Sequence, residues 1–432
     1  MTESERRQFL KVVWGHRLYG PTDVRWSDGE VAYVERGGYA SETSGAVTVG
    51  PDFENAAVAC GESMLYGGVR VDGMASTWRT EGDMSSTAYD SVLFHVVGER
   101  DRVLFRKGRE VRTLILQASS VLERMYEEML AESSHGSEGC LSFFGRLAGV
   151  EQEQIMSRLL ADRLRRKRLE VEGIYRSLSG SWDETAYVCY MRSLGMGERK
   201  RSYEALARSV PYGCLVRCQG DVQQGEALLL GQSGYLATVG SSGAAIRQLQ
   251  DIYLTLKEEY GLRRPVVSWG GASVRPSSLP PAQLSSAAAF LVRTPQLGAR
   301  VREAVLEGVE ALRTLFGGVS TDAVPMTGGG QISMERADLR IINFAIPYAA
   351  AWGRSTGDVR MQEAALGLYD GVAAEHNRYT RRWGEVCEVE RASESQAIVQ
   401  LCTEYCGRGR CGECPIGVLR LVRCWRGLGS GE

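Results

Sequence analysis

The stretch 50–72 reads GPDFENAAVACGESMLYGGVRVD, and its spacing could do metal chemistry. A Gly-Pro-Asp turn opens one strand, and a second strand ends in Arg70-Val71-Asp72. Side chains alternate across a strand, so Arg70 and Asp72 share a face. With Asp52 on the neighbouring strand they outline the carboxylate cage in which Mg²⁺ activates water against a phosphodiester. Arg70 stands in the middle of that layout, and a guanidinium cannot deprotonate to make way for a metal. The other reading of Asp52 is a plain turn residue after Gly-Pro.

A second constellation lies near the C-terminus. Four of the eleven cysteines, Cys402, Cys406, Cys411 and Cys414, follow the pattern C-x3-C-x4-C-x2-C. Such clustering predicts a metal rather than disulfides. Four thiolates suit either a tetrahedral zinc or a four-iron iron–sulfur cluster; unliganded thiols at a helix end are the alternative. Two basic groups are candidates for nucleic-acid phosphates: Arg163, Arg166 and Lys167 in RLLADRLRRKRLE, and Arg408 and Arg410 in the tail. A solvated helix face is the plainer reading of both.

The elements that must position these residues fall into two kinds. An amphipathic helix opens the chain, with Phe9, Leu10, Val13, Trp14 and Leu18 on one face. Residues 22–118 carry β-branched and aromatic runs punctuated by Gly, Asp and Ser, and SVLFHVV reads as a central strand buried on both faces. From 119 onwards the apolar period becomes helical, with helices expected at, among others, 182–195, 297–316, 337–352 and 390–405. The expected organisation is an α/β module with a mixed sheet over 1–120, a large mainly α-helical region over 121–389, and a C-terminal helix with a cysteine-rich metal-binding knuckle over 390–432. A net charge of −2 over 432 residues gives no global bias towards nucleic acid. No run is apolar and long enough for a membrane span, and the first residues lack the apolar core of a signal peptide. The expected compartment is the cytoplasm, with no membrane partner. GGGQ at 328–331 is no P-loop, since no Gly-Lys-Ser/Thr follows.

Over nearly its full length the chain resembles the uncharacterised family called domain of unknown function 2851. The landmarks are GPDFENA, YDSVLFHVV, LLADRLRRKRLEVEGI, WDETAYVCYMRSLGM, WGGASVRPSSLPPAQL, RIINFAIPYAAAWG and CTEYCGRGRCGECPIG, in order. The family's N-terminal pattern is in turn similar to the PD-(D/E)XK nuclease superfamily, which implies a nuclease-like mixed sheet. Residue by residue, Pro51, Asp52, Trp78, Tyr89, Asp90 and His95 match the family pattern. Arg70 stands at its Glu position, Asp72 at a His position, Glu81 and Asp83 at two more His positions, and Ser86 at an Asp. His95 is a family site position, or alternatively a core histidine. The resemblance therefore implies a nuclease-like site at Asp52, Arg70, Asp72 and His95 with its chemistry lost, on a protein that binds DNA or RNA and for which Mg²⁺ is not expected. Two other functions stay open: an active metal-dependent nuclease built on Asp52, Asp72, Glu81 and Asp83, and an adaptor docking a protein partner through its helical region.

Overall fold

A computed structural model describes residues 1–41, 50–78, 86–135, 138–238, 243–269, 279–317 and 333–429. The chain divides into two compact units: one of residues 1–159, 381–388 and 398–432, the other of residues 160–380 and 389–397.

The first unit is built on a mixed sheet. Its opening helix α1 (Glu3–Gly15) starts at Thr2, whose hydroxyl accepts from the Glu5 amide while the Glu5 carboxylate reaches back to the Thr2 amide, a capping box. The strands are β1 (Val24–Trp26), β2 (Val34–Arg36), β3 (Tyr39–Ala40), β4 (Phe53–Cys60), β5 (Ser63–Met74), β6 (Val92–Glu99) and β9 (Arg112–Leu116), in the order β1-β9-β6-β5-β4-β2 with β3 also on β4. β5, β6 and β9 run parallel; the other pairings are antiparallel. The run SVLFHVV supplies β6, which lies between β5 and β9, as an apolar strand flanked on both sides should. A short hairpin of β7 (Phe105–Arg106) and β8 (Arg109–Glu110) stands apart.

One sheet face packs Val69, Val71, Phe94, Val96 and Leu114 against Phe9, Leu10 and Val13 of α1. Leu122, Tyr126 and Met129 of α2 (Ser120–His135) join the same core, as do Cys411 and, from the C-terminal helix Pro415–Gly429, Leu421. The opposite face carries Trp78, Tyr89, Leu104 and Val111 as a smaller cluster. β5 is longer than its partner: the β4 pairing runs from Ser63 to Val69, so among the described residues Arg70 to Met74 have no strand on that side.

The second unit is helical, its core centred on Tyr187, Tyr190, Phe290, Phe316 and Phe344. Two expected helices are interrupted for local reasons. The helix expected over 297–316 divides at Gly308, whose φ of 112° suits glycine alone, into Leu297–Glu307 and Val309–Gly317. The one expected over 337–352 contains a π turn at Ile341–Ala345 just ahead of Pro347, which has no N–H to continue the ordinary ladder.

Candidate functional site

The unpaired edge of β5 is where the sequence's site residues meet. Asp52 lies in the turn just before β4 rather than on the strand, and its amide donates to Val69 O (2.7 Å). Its carboxylate then takes over where β4 ends: Oδ2 accepts from the Val71 amide at 2.8 Å. Asp52 is thus a turn residue whose carboxylate also caps the backbone of β5.

Helix α1 supplies what the missing strand would have given. Glu3, Arg7 and Lys11, spaced i, i+4, i+8, lie on one side of the helix. Glu3 Oε1 accepts from the Met74 amide (3.0 Å) and from the Thr77 hydroxyl (2.8 Å). Arg7 Nε donates to Val71 O (2.8 Å), and Lys11 Nζ stands 2.6 Å from Asp52 Oδ1. A strand edge with open N–H and C=O groups is thereby closed by side chains.

The four site positions converge. Asp72 receives Arg70 in a two-pronged pair, Nε to Oδ2 at 2.8 Å and Nη2 to Oδ1 at 3.0 Å. His95, the register partner of Arg70 on β6, places Nε2 2.9 Å from Asp72 Oδ2. Arg7 joins the two acids, with Nη2 3.1 Å from Asp52 Oδ1 and Nε 3.0 Å from Asp72 Oδ1. Nitrogens ring both carboxylates: Arg7 Nη2 donates to both oxygens of Asp52 and the Val71 amide to its Oδ2, while Lys11 forms an ion pair at Oδ1. Arg70 donates to both oxygens of Asp72 and His95 Nε2 meets its Oδ2, while Arg7 Nε, whose one N–H goes to Val71 O, adds an ion pair at Oδ1. Arg70 pairs with its i+2 neighbour on the same strand face, and Arg7 and Lys11 take Asp52.

Aromatic rings roof the cluster. Arg70 lies 5.9 Å from the Trp78 ring and 5.7 Å from Tyr89, and donates to the Tyr89 hydroxyl at 3.2 Å. Trp78 meets His95 edge-on at 5.0 Å. Asp72 and His95 are fully buried, and Arg70 is nearly so. Burial pushes the Asp72 carboxyl up, but the hydrogen bonds from His95 and Arg70 and the charges behind them outweigh it, leaving the group below its ordinary value. His95 Nε2 must carry the proton it shares with a carboxylate, so in the neutral ring Nδ1 is a bare acceptor. Nδ1 and the Trp78 N–H are both buried without a partner among the described residues. Glu81 and Asp83, the candidate extra acids, lie outside the described residues. Ser86 caps the short helix Thr87–Tyr89, and Asp90 pairs with Arg106 and Lys107 at the surface.

The predicted phosphate contacts are placed otherwise than the sequence suggests. Arg163 is buried and donates from Nε to Gln396 Oε1 at 2.5 Å. Lys167 is largely buried too, and that burial pushes its ammonium down to about 7. Arg166 pairs with Glu170 (2.8 Å), Arg408 with Glu404 (3.0 Å) and Arg410 with Glu413. The helix carrying Arg163, Arg166 and Lys167 packs along the second unit's core, so Arg163 is drawn inwards to Gln396, and Arg166 and Lys167 are matched with Glu170.

All eleven cysteines are unbridged. Cys411 and Cys414 are buried, and Cys402 and Cys406 are half-buried. Among the described residues no three His, Cys, Asp or Glu side chains are grouped to hold a single metal ion. Cys140 lies on α3 (Glu138–Gly145), where its sulfur accepts from Arg420 Nη1 at 3.2 Å, and Cys411 Sγ stands 3.5 Å from Met129 O. Burial pushes Cys140, Cys411 and Cys414 up, with Cys411 reaching about 12. Cys402 is on the π turn Leu401–Tyr405.

Arg7 and Lys11 were not legible as partners of the cluster. The i, i+4, i+8 charges on α1 were the available signal. A family model described as "Protein of unknown function (DUF2851)" matches residues 7–378. No curated protein and no solved structure matches the chain.

Proposed function

The chain belongs to that family of unknown function, and from this premise we propose a non-hydrolytic, nucleic-acid-binding protein whose nuclease-like metal site has been replaced by an internal ion-pair network. The observation that carries it is the ring of cations around Asp52 and Asp72. A divalent cation entering there must displace Arg7, Lys11 and Arg70 from oxygens they already hold at 2.6–3.2 Å. Two unit charges about 4 Å apart attract by roughly 4 kcal/mol at an effective dielectric near 20, and here several such contacts act together. Every oxygen of Asp52 and Asp72 already faces a guanidinium.

The same arrangement supports the binding half of the reading. Two aspartates face Arg7, Lys11 and Arg70, so these five side chains keep a surplus positive charge. That surplus meets solvent at the rim, where the Lys11 and Arg7 side chains are 33% and 21% exposed. A fixed cation can attract a phosphate as a bound Mg²⁺ would, without supplying a nucleophile.

The test is fluorescence anisotropy of labelled single- and double-stranded oligonucleotides over a salt series, alongside a cleavage assay with Mg²⁺ or Mn²⁺. The expected result is salt-dependent binding, no cleavage, and a log–log salt slope that Lys11→Ala lowers by about one. Arg163→Ala leaves that slope unchanged. Metal-dependent cleavage abolished by Asp52→Ala would establish an active nuclease instead. Absence of binding even at low salt favours the adaptor reading, which the internal pairing of Arg166, Arg408 and Arg410 supports.

A further inference from the structure

The second unit has a cleft of its own, independent of the function proposed above. Its walls follow from helical spacing. Lys167, Glu170, Val171 and Ile174 recur at i, i+3, i+4 and i+7 on α4 (Gly149–Ser177), so they share one face. Arg192 comes from the last turn of α5 (Trp182–Ser193), and Lys200 from the first turn of α6 (Arg199–Ser209). Pro347 joins them from the helix that follows the π turn Ile341–Ala345. The cleft that these side chains line has a volume of about 370 Å³, counting its open mouth.

The charges of the lining do not balance. One carboxylate, Glu170, serves three cations: Arg166 at 2.8 Å, Arg192 at 3.1 Å and Lys167 at 3.6 Å. Arg192 turns its other terminal nitrogen to Glu204 at 2.5 Å, and Glu204 is shared with Arg208. Lys200 has no hydrogen bond or ion pair among the described residues. Lys167, Arg192 and Lys200 therefore line the cleft against Glu170 alone, with about two positive charges left over. Charge held in this way is costly, because the Lys167 side chain is only 13% exposed. Burial lowers the ammonium of Lys200 as well as that of Lys167. Cations that converge on a cleft beside an apolar wall have the composition of a small-molecule site.

We propose that this cleft binds a small organic phosphate monoester, its dianionic head on Lys167, Arg192 and Lys200 and its carbon portion on Val171, Ile174 and Pro347. Charge sets the ligand class. A phosphate monoester carries about −1.5 to −2 at neutral pH, which cancels the surplus; a carboxylate cancels only one charge. Arginine offers phosphate oxygens a planar fork and lysine offers a point charge. Glu170 holds Arg192 and Lys167 at the site without neutralising it. An anion in contact also favours the charged form of Lys167, which burial alone opposes.

The test is isothermal titration calorimetry of the full chain at pH 7 and constant ionic strength, in a buffer without phosphate. The probes are phenyl phosphate, inorganic phosphate and benzoate. The expected result is one phenyl phosphate per chain. Inorganic phosphate binds more weakly because it lacks the apolar contact, and benzoate because it lacks the second charge. Lys200→Ala lowers the phenyl phosphate affinity by about tenfold or more, the loss of one charge-assisted contact. It removes no internal ion pair, so the fold is retained. Lys167→Met lowers the affinity too, although relief from a buried charge makes that variant the more stable one; a merely structural role would not divide in this way. Four results overturn the proposal: no binding of phenyl phosphate at millimolar concentration, unchanged affinity in Lys200→Ala, benzoate bound as tightly as phenyl phosphate, or inorganic phosphate bound as tightly.

Discussion

Asp72→Ala removes the one carboxylate that Arg70, His95 and Arg7 share. In the folded protein Arg70 would then be 2% exposed with no carboxylate left in contact. Breaking a buried pair in this way costs about 3–5 kcal/mol, because the remaining charge stays desolvated and uncompensated. A domain's whole stability is about 5–15 kcal/mol, so the first unit should unfold at a clearly lower urea concentration. Trp78, 5.9 Å from the Arg70 guanidinium, is a fluorescent reporter inside the affected region. Arg70→Met combined with Asp72→Leu removes charge and counter-charge together, while Arg7 retains Asp52. The double variant should therefore lose less than the two single changes summed, with a coupling of about 1–3 kcal/mol. Acid gives an independent check. The Asp72 carboxyl titrates below its ordinary 3.8 in the folded chain, so its contribution is full above that value and is lost as the pH falls through the folded value. Asp72→Asn should flatten that part of the acid limb. An unchanged urea midpoint for Asp72→Ala, or strict additivity in the double variant, would refute the claim that these residues form one network.

Two further outcomes follow from buried groups elsewhere. Lys167 has an ordinary value of 10.5 and a folded one near 7, so burial imposes a penalty that is full below pH 7 and fades as the pH rises to 10.5. Lys167→Met should raise the stability of the second unit at pH 7 by up to about 4 kcal/mol and remove the rise with pH that the wild type shows. Denaturant midpoints of both proteins from pH 6 to about pH 10 decide this, and parallel curves would sink it. Gly417→Ala should destabilise the first unit by about 1–3 kcal/mol through overpacking against Cys411 O, which a Cβ there would meet, although alanine is the better helix former by about 1 kcal/mol. Thermal melts check it, and a gain in melting temperature would contradict the close approach.

Much of the first unit was legible because the signals are periodic. Alternation and β-branched runs marked the strands, and an unbroken apolar run marked β6 as flanked on both sides. The i, i+2 rule placed Arg70 and Asp72 on one face. What spacing cannot give is which ion meets which. Arg7 and Lys11 reach Asp52 only because β5 outruns β4 and leaves an edge for α1 to close, a fact of register between segments some fifty residues apart. The basic run at 158–168 shows the opposite failure. Composition marks Arg163 and Lys167 as charged, but packing along the helical core turned them inwards.

The sequence by itself therefore determined the element types, the shared face of Arg70 and Asp72, and the thiol-rich C-terminal segment, since each depends on neighbours within a few residues. Tertiary structure alone decided that Arg7 and Lys11 of α1 meet Asp52 and that Arg7 also reaches Asp72. It also decided that Arg163 and Lys167 turn into the second unit. The physical reason is the same in both cases: burial and contact between distant segments set the charge balance of a site, and no local period encodes them.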